Sequence, residues 1–305
     1  MKNIFAYIGF ATLIIILAIF CISGITSKKA NVPSVQQYVS QVPLPYNLTF
    51  CGEAVPMHDQ FVKERLDREL TSITFRHSST IRILKLAYRY FPVIEPILAA
   101  NGVPDDLKYL AVAESGLENL VSPKNAKGVW QFLAATARSY GLEVTSEVEE
   151  RYHLEKSTVA ACKYFKQAYK KFGNWPMAVA SYNRGMAGMA EHISHQKEDN
   201  YFDLYLNTET ARYVYRILAF KQLMKNPEQY GYYFSSIDLY PPLSENTVVV
   251  KSIDNIVTFA KSHNTTYQNF NMLNPWLRKI YLRAKSGNSY TCLLYTSDAA
   301  DDWWG

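Results

Sequence analysis

The chain has 305 residues, of which 48% are hydrophobic and 19% are charged, and its net charge is +5. These values are ordinary for a globular protein and exclude a largely disordered chain, which would combine low hydrophobicity with high charge. The length suffices for one core of usual size and a small second module. The mild positive charge suits an anionic cell wall or membrane surface, although a plain soluble surface would look the same. We expect a monomer without a nucleic-acid partner.

An uncharged segment opens the chain. The run Ile4–Thr26 holds no charged side chain and exceeds the ~20 residues that a membrane-spanning helix needs. We therefore predict that residues 1–26 are a signal or membrane anchor. An uncleaved anchor is favoured over a cleaved signal, because no clear A-x-A-like site follows. Lipid attachment at Cys21 is a third alternative, and all three place the protein on the periplasmic side of the cell envelope.

A linker is predicted over residues 27–45, which hold several Pro, Ser, Gln and Val without a period. Helical patterns follow it from His58 to Ile73, from His77 to Phe91, and up to Asn101-Gly102. Because proline removes a backbone donor, Pro92 and Pro96 are expected to separate the second helix from the third. The pair Asn101-Gly102 suits the positive φ of a helix end.

The next helix carries a well-placed acid. Pro104 suits its first position, and Ser115-Gly116 breaks it. Leu107, Leu110, Ala111 and Glu114 follow the spacing i, i+3, i+4 and i+7, which places all four on one face of the helix. Glu114 is thus expected at a helix end on the buried side, where burial would raise the pKa of its carboxyl toward that of a general acid. The alternative is a solvated glutamate at a fraying helix end.

Further helical patterns extend to residue 224, and no strand-like alternation of any length occurs between residues 50 and 230. Four helices are predicted here. The first ends at Tyr140, the second spans Ser157–Phe172, the third starts at Pro176, and the fourth spans Glu209–Met224. The chain is therefore predicted to be mainly α. A row of lysines on Ser157–Phe172 is interpreted as a solvated face, with wall binding as the alternative: Lys163, Lys166 and Lys170.

Three short motifs resemble the signatures of the family 1 lytic transglycosylases, lysozyme-like enzymes that cut bacterial peptidoglycan. They are Ala113-Glu114-Ser115-Gly116, Gly128-Val129-Trp130-Gln131-Phe132 and Ala180-Ser181-Tyr182-Asn183-Arg184-Gly185. The resemblance is greatest to the membrane-bound D type of Bacteroidetes-like bacteria and covers about residues 50–291. It implies a lysozyme-like catalytic domain, which we place at residues 46–235.

The resemblance also implies roles for six side chains. Glu114 would be the catalytic acid, and the substrate-binding candidates are Ser115, Gln131, Tyr182, Asn183 and Tyr213. Ser115 would orient Glu114 or the substrate, and the amide of Gln131 would bind sugar hydroxyl or acetamido groups. Tyr182 could hydrogen-bond Glu114 or the acetamido group, whereas Asn183 is expected to tie down the backbone.

Glycoside hydrolysis ordinarily needs two carboxylates at a defined separation, and the sequence offers one well-placed candidate. Asp105 and Asp106 lie earlier on the same helix, on the order of 12 Å from Glu114. A lone acid suits the reaction that the resemblance implies, which closes a 1,6-anhydro ring at N-acetylmuramic acid without consuming water. Two alternatives are a goose-type lysozyme-like hydrolase and a non-catalytic wall-binding protein.

No cofactor and no metal site are predicted. His192 and His195 lie three residues apart, but no third ligand is evident. One disulfide between Cys51 and Cys162 is conceivable outside the cytoplasm. Cys162 nevertheless lies in a helical pattern, which favours a small buried side chain.

Residues 246–291 resemble a LysM-type sugar-binding module of βααβ order. Its strand would lie at Thr247–Val250, and its helices at Ile253–His263 and Tyr267–Leu273. The last strand would begin near Ser289 and is expected to be lost, because residues 292–302 resemble a translated sequencing adapter. Residues 292–305 would then be an artefact, the module truncated, and the catalytic domain active without it.

Overall fold

The computed structural model describes residues 39–243, 245–283 and 287–295. Across those ranges no helix is both long and apolar enough to cross a membrane. The anchor predicted at Ile4–Thr26 and most of the linker lie outside the described residues.

Eight α-helices occur between residues 42 and 243, after a short hairpin of strands β1 (Thr49–Phe50) and β2 (Glu53–Ala54). The helices are α1 Gln60–Thr74, α2 His77–Ala100, α3 Lys108–Ser115, α4 Ala134–Ser139, α5 Leu154–Phe172, α6 Trp175–Arg184, α7 Met186–Gln196 and α8 Thr208–Lys225. Side chains cap several of them, since Asp59, Asn174 and Asn207 each accept a hydrogen bond from an N–H of the first turn. The prediction of a mainly helical fold is confirmed.

Helix α2 continues through both of its prolines, so the predicted break is wrong. Pro92 and Pro96 lie four residues apart on the exposed face of the helix, while Ile94 and Leu98 are fully buried. A proline removes the hydrogen bond to the carbonyl four residues earlier. On an exposed face water can bind that carbonyl instead, and packing of the opposite face holds the helix together.

Helix α8 lies at the centre of the core. Its residues Val214, Ile217 and Leu218 are fully buried, and it packs against α1, α3 and α6. Each such side chain contributes about 1.5–3 kcal/mol of transfer free energy when it is buried. The contact between α3 and α8 matters most for function, because it brings the end of α3, with Glu114, against Tyr213.

A buried ion pair holds the N-terminal hairpin on this core. Asp106 Oδ2 accepts from Lys221 Nζ at 2.6 Å and from the backbone N–H of Cys51 at 2.7 Å. Lys221 also donates to the carbonyl of Thr49 at 2.6 Å. Cys51 and Cys162 are both free thiols, so the conceivable disulfide is not formed. Cys162 is fully buried, as predicted, and burial raises its pKa to about 11.

The C-terminal module contains the predicted βααβ order, with one additional two-residue strand on each side of the helices. It comprises β3 Glu245–Val250, β4 Ser252–Ile253, α9 Ile256–Ser262, α10 Tyr267–Leu273, β5 Leu282–Arg283 and β6 Tyr290–Tyr295. Strands β3 and β6 pair antiparallel, from Glu245 opposite Tyr295 to Val250 opposite Tyr290, and β4 pairs with β5. Its fully buried residues include Ile256, Phe270 and Leu282.

The final strand of the module is present, so the expectation that it is lost is wrong. Tyr290 and Cys292 lie in the module core at 3% and 0% exposure, while Thr291 between them points outward. That alternation has the two-residue period of a strand. It is sufficient for residues 290–295 to pair with β3 and bury one face in the module. The adapter resemblance of residues 292–302 stays a prediction, and positions after Tyr295 lie outside the described residues.

The module packs against residues 143–153 of the helical domain, which we call the docking segment. Val148 forms a β-bridge with Leu277. Two backbone hydrogen bonds of 2.8 Å flank the bridge, from Glu149 N to Trp276 O and from Arg278 N to Glu147 O. Val148 and Tyr152 belong to the buried core of the module. The domain boundaries predicted at residues 235 and 246 therefore stay proposals, since the two parts share buried side chains.

Candidate active site

Glu114 lies at the last turn of α3, as predicted. The helix ends at Ser115, and Gly116 adopts a left-handed conformation with φ of 63°. The predicted apolar face is confirmed, because Leu107, Leu110 and Ala111 are fully buried. Glu114 is half-buried and lines a cavity of about 380 Å³ between α1, α2, α3 and α8. A ligand that enters this cavity can therefore reach the carboxyl.

Burial raises the pKa of Glu114 from its ordinary 4.5 to about 7. A hydrogen bond from the hydroxyl of Tyr213 to Oε1 and the positive charge of Arg216 both oppose this rise, while Glu209 adds to it. Loss of solvation is the larger effect, so the acid form persists to neutral pH. A carboxyl with a pKa near the working pH can both deliver and accept a proton.

The tyrosine that contacts Glu114 is Tyr213, on α8, and not Tyr182. The hydroxyl of Tyr182 donates to the carbonyl of Trp130 at 2.7 Å, so the suggested bond to Glu114 is not formed. The Tyr182 ring is held between aromatic neighbours, with ring centroids 5.3 Å from Phe165 and 5.6 Å from Phe132. Burial raises the pKa of both phenols well above 10, so both remain proton donors.

The loop Gly128–Phe132 is fastened to the end of α3. Ser115 Oγ donates to the carbonyl of Val129 at 2.8 Å, and Tyr182 bonds the next carbonyl along the loop. The indole N–H of Trp130 donates to Thr158 Oγ1 at 2.8 Å. Ser115 is thus a link between two of the three motifs, which refines the expectation that it orients Glu114 directly.

The amide of Gln131 is engaged within its own loop. Its Nε2 donates to the carbonyls of Gly128 at 2.8 Å and Leu120 at 3.1 Å. The residue has a positive φ of 49°, and these two bonds compensate for the strain. Both amide donors are used, which differs from the expected donation to sugar groups. A sugar contact through the carbonyl oxygen Oε1 stays a prediction.

Asn183 joins the third motif to the start of α8. Its Nδ2 donates to Glu209 Oε1 at 3.1 Å, and its Oδ1 accepts from Thr210 Oγ1 at 2.9 Å. The expected bond to the backbone is thus replaced by two bonds to side chains. The role is similar, because Asn183 fixes the first turn of the helix that presents Tyr213.

Two further carboxylates, Glu69 and Glu118, line the cavity of Glu114, and no local sequence pattern marks either as part of this site. Glu69 pairs with Arg212 at 2.6 Å, and Glu118 pairs with Arg82 at 2.7 Å. Each partner lies far away in the chain, so no helical or strand period could reveal the pair. Among the described residues, Glu114 is the carboxyl of this cavity that has no arginine partner within 4.0 Å. It is the group placed to exchange a proton with a ligand.

Gly128 allows the motif loop to approach the docking segment closely. A Cβ at this position would lie 1.8 Å from the carbonyl oxygen of Arg151, and φ is 82°. We expect Gly128→Ala to lower the free energy of unfolding by about 3 kcal/mol or more, because strain and a backbone clash add. Urea denaturation measures this loss.

The matched control is Gly173→Ala. Gly173 has a similar φ of 77° but no atom within 4 Å of its Cβ position, so it reports strain alone. We expect a cost of about 1–2 kcal/mol for it. Equal losses for the two substitutions would show that the close approach at Arg151 is unimportant.

Two family models match parts of the chain. Residues 92–204 match the family model of the transglycosylase SLT domain, and residues 245–297 match that of the soluble lytic transglycosylase C-terminal LysM-like domain. The chain thus contains a mainly helical, lysozyme-like SLT domain and a small LysM-like module.

Three curated relatives are similar to part of the chain. Two are membrane-bound lytic murein transglycosylase D from Escherichia coli strains K12 and O6:H1, each 30% identical over 183 residues, 58% of this chain and 39% of the relative. The third is named for tributyltin chloride resistance, from an Alteromonas species, and is 28% identical over 130 residues, 42% of this chain and 60% of that protein. The chain spans about two fifths of the length of the Escherichia coli relatives.

Proposed function

We propose that this chain is a lytic transglycosylase that cleaves the β-1,4 bond between N-acetylmuramic acid and N-acetylglucosamine in peptidoglycan. The observation that carries the proposal is the half-buried carboxyl of Glu114, with a pKa of about 7, at the wall of an open cavity. The match of residues 92–204 to the SLT domain and the similarity to the D-type enzymes support it.

In the first step Glu114 acts as an acid. It donates its proton to the glycosidic oxygen, the bond between that oxygen and the anomeric carbon of muramic acid breaks, and the N-acetylglucosamine alcohol leaves. The substrate's own acetamido group stabilises the positive charge at the anomeric carbon, as in substrate-assisted glycosidases. The hydrogen bond from Tyr213 stabilises the carboxylate that remains.

In the second step the same carboxylate acts as a base. It accepts the proton of the C6 hydroxyl of muramic acid, and the C6 oxygen bonds to the anomeric carbon. The product is a 1,6-anhydro sugar, Glu114 regains its proton, and no water is consumed. One acid suffices for both steps, and the arginine pairing of Glu69 and Glu118 leaves Glu114 as the reacting group.

Mass spectrometry of the products from purified peptidoglycan tests the reaction. We expect muropeptides that end in 1,6-anhydromuramic acid. A hydrolase of the goose lysozyme type would add water instead, with Glu69 as the second carboxylate of the same cavity. Free reducing muramic acid ends would therefore support the hydrolase and reject the transglycosylase.

The predicted location is a further part of the proposal. The uncharged run Ile4–Thr26 would place the enzyme in the cell envelope, on the periplasmic side, as an anchored or lipidated protein beside its substrate. The full-length protein should then sediment with membranes, and protease should reach it from outside the inner membrane, in spheroplasts, without lysis of that membrane. Recovery in the soluble cytoplasmic fraction would contradict this location.

Tyr213→Phe is expected to shift the pH profile. The Tyr213 hydroxyl favours the charged form of Glu114, so its loss should raise the pKa of that carboxyl further. The alkaline limb of kcat/KM, which reports loss of the proton from Glu114, should move to higher pH. Kinetics on soluble glycan fragments between pH 5 and 9 measure the shift.

Tyr182→Phe is the matched control for this experiment. It also removes one buried phenol hydroxyl, but that hydroxyl bonds the carbonyl of Trp130 and not Glu114. Its activity should fall without a shift of the alkaline limb. If both variants shift the limb equally, the contact between Tyr213 and Glu114 does not set the profile.

A further inference from the structure

The cavity beside Glu114 holds more arginine than carboxylate. Its ionisable lining consists of Arg76, Arg82, Arg212, Arg216, Glu69, Glu114 and Glu118. Arg82 and Glu118 form a two-point pair with distances of 2.7 and 3.0 Å and so neutralise each other. Three arginines then share the cavity with Glu69 and with Glu114, whose carboxyl has a pKa raised by burial to about 7 and so holds its proton below that pH.

Glu69 holds two of these arginines in place. It is only 2% exposed, and its carboxylate lies 2.6 Å from Arg212 and 3.6 Å from Arg216, with Arg68 at 3.5 Å. One carboxylate cannot neutralise three guanidinium groups. Arg212 and Arg216 lie one turn apart on α8, and their side chains remain 31% and 35% exposed. The buried anion therefore fixes two cations at the cavity wall while leaving positive charge available.

Arg76 adds a third cation to the lining of the cavity, from a different part of the chain. It precedes α2 and is exposed. Among the residues that the structure describes, no carboxylate lies within 4.0 Å of its guanidinium group. Three arginines from two helical elements thus converge on one cavity without matching anions.

We propose that Arg76, Arg212 and Arg216 form a subsite for a carboxylate of the substrate's peptide stem. This inference rests on the proposed function. The sugars of peptidoglycan carry no charge when the lactyl group is amide-linked, so the stem supplies the anionic groups. The stem branches from muramic acid, the sugar whose anomeric carbon must lie beside Glu114. Guanidinium groups fixed in advance bind carboxylates at two points, with geometric selectivity.

Two matched glycan fragments test the subsite with the full-length protein. They carry the same short peptide stems, with free carboxylates in one fragment and amidated carboxylates in the other. We expect the wild-type protein to favour the free acid about tenfold in kcat/KM, as a charge-assisted hydrogen bond would give. Arg76→Gln should abolish most of that preference, because kcat/KM should fall much more on the free acid than on the amidated fragment. Arg76→Lys keeps the charge and should retain part of the preference.

Arg138→Gln is the control, because Arg138 is an exposed arginine outside this cavity and bonds the carbonyl of Val144. It should keep the full preference. Equal turnover of both fragments by the wild type overturns the subsite alone, as does an equal loss on both fragments in Arg76→Gln. If the wild type turns over neither fragment, the proposed function is overturned together with the subsite.

Discussion

Replacement of Glu114 by glutamine is expected to reduce turnover of purified peptidoglycan by at least 10²–10⁴-fold, the usual contribution of general acid–base catalysis. One residue serves as acid and then as base in the proposed reaction, so both proton transfers are lost together. Glutamine keeps the shape of the side chain and still accepts the hydrogen bond from Tyr213. Glycan binding should therefore survive, and a pull-down on insoluble peptidoglycan measures it beside the rate.

The same substitution should change how stability depends on pH. The pKa of Glu114 is 4.5 when solvated and about 7 in the folded chain, so the unfolded state loses its proton first as pH rises. The wild-type protein then loses up to about 3 kcal/mol of stability between pH 4.5 and 7, and the variant does not. Urea denaturation of both proteins at pH 5 and pH 8 tests this difference.

A solvated glutamate would behave differently in both experiments. Its change to glutamine would alter stability by no more than about 0.5 kcal/mol at either pH and leave activity intact. A Glu114→Gln protein that releases muropeptides at nearly the wild-type rate would remove Glu114 from the mechanism. Ser139→Ala, at an exposed position on α4, is a control that should match the wild type throughout.

The sequence predicted the features that neighbouring residues determine, such as the position of Glu114 at a buried helix end. The apolar face Leu107, Leu110 and Ala111 placed Glu114 at a buried helix end, because helical period and helix-ending residues are both local. The break expected at Pro92 failed because packing of the opposite face decides whether a helix continues. The strand Tyr290–Tyr295 was expected to be lost after its first residues, but the alternating burial of Tyr290, Thr291 and Cys292 lets it pair along the whole of β3.

Contacts between distant residues could not be predicted. The two tyrosines of the site have similar local settings, and only the crossing of α3 with α8 assigns Glu114 to Tyr213 and not to Tyr182. The pair of Glu69 with Arg212 joins α1 to α8 in the same way. Both contacts depend on tertiary packing, and the helical or strand periodicity of a single sequence does not show which distant residues meet.

Removal of the module after Leu243 is expected to slow cleavage even of glycan fragments too short to reach it, although the sequence favours an independent catalytic domain. The docking segment has two faces, and the second face supports the motif loop. Arg151 donates to the carbonyls of Asn125 and Phe132, both at 3.0 Å, and its guanidinium pairs with Glu149 at 2.6 Å. The backbone of Glu149 in turn bonds Trp276 of the module.

Without the module, Val148 and Tyr152 lose the packing that buries them, and the docking segment loses both backbone bonds to Trp276 and Arg278. A shift of about 1 Å in the motif loop can cost on the order of 10²-fold in rate. Turnover of short soluble fragments by the truncated and full-length proteins measures the loss. Hydrogen exchange of the amides in residues 125–132 should speed up in parallel, which distinguishes a loosened loop from lost substrate binding.

A full-length variant guards against misfolding of the truncated chain. His153→Ala removes the ring that stacks on Trp276 with centroids 5.8 Å apart, while both domains keep their own cores. This variant should also cleave short fragments more slowly and exchange the amides of residues 125–132 faster, with smaller changes than the truncated protein shows. Tyr267→Ala, at a 44% exposed position on α10, is the matched aromatic control and should show neither. Full activity of the truncated protein on short fragments, with unchanged exchange in the loop, would show that the module docks without supporting catalysis.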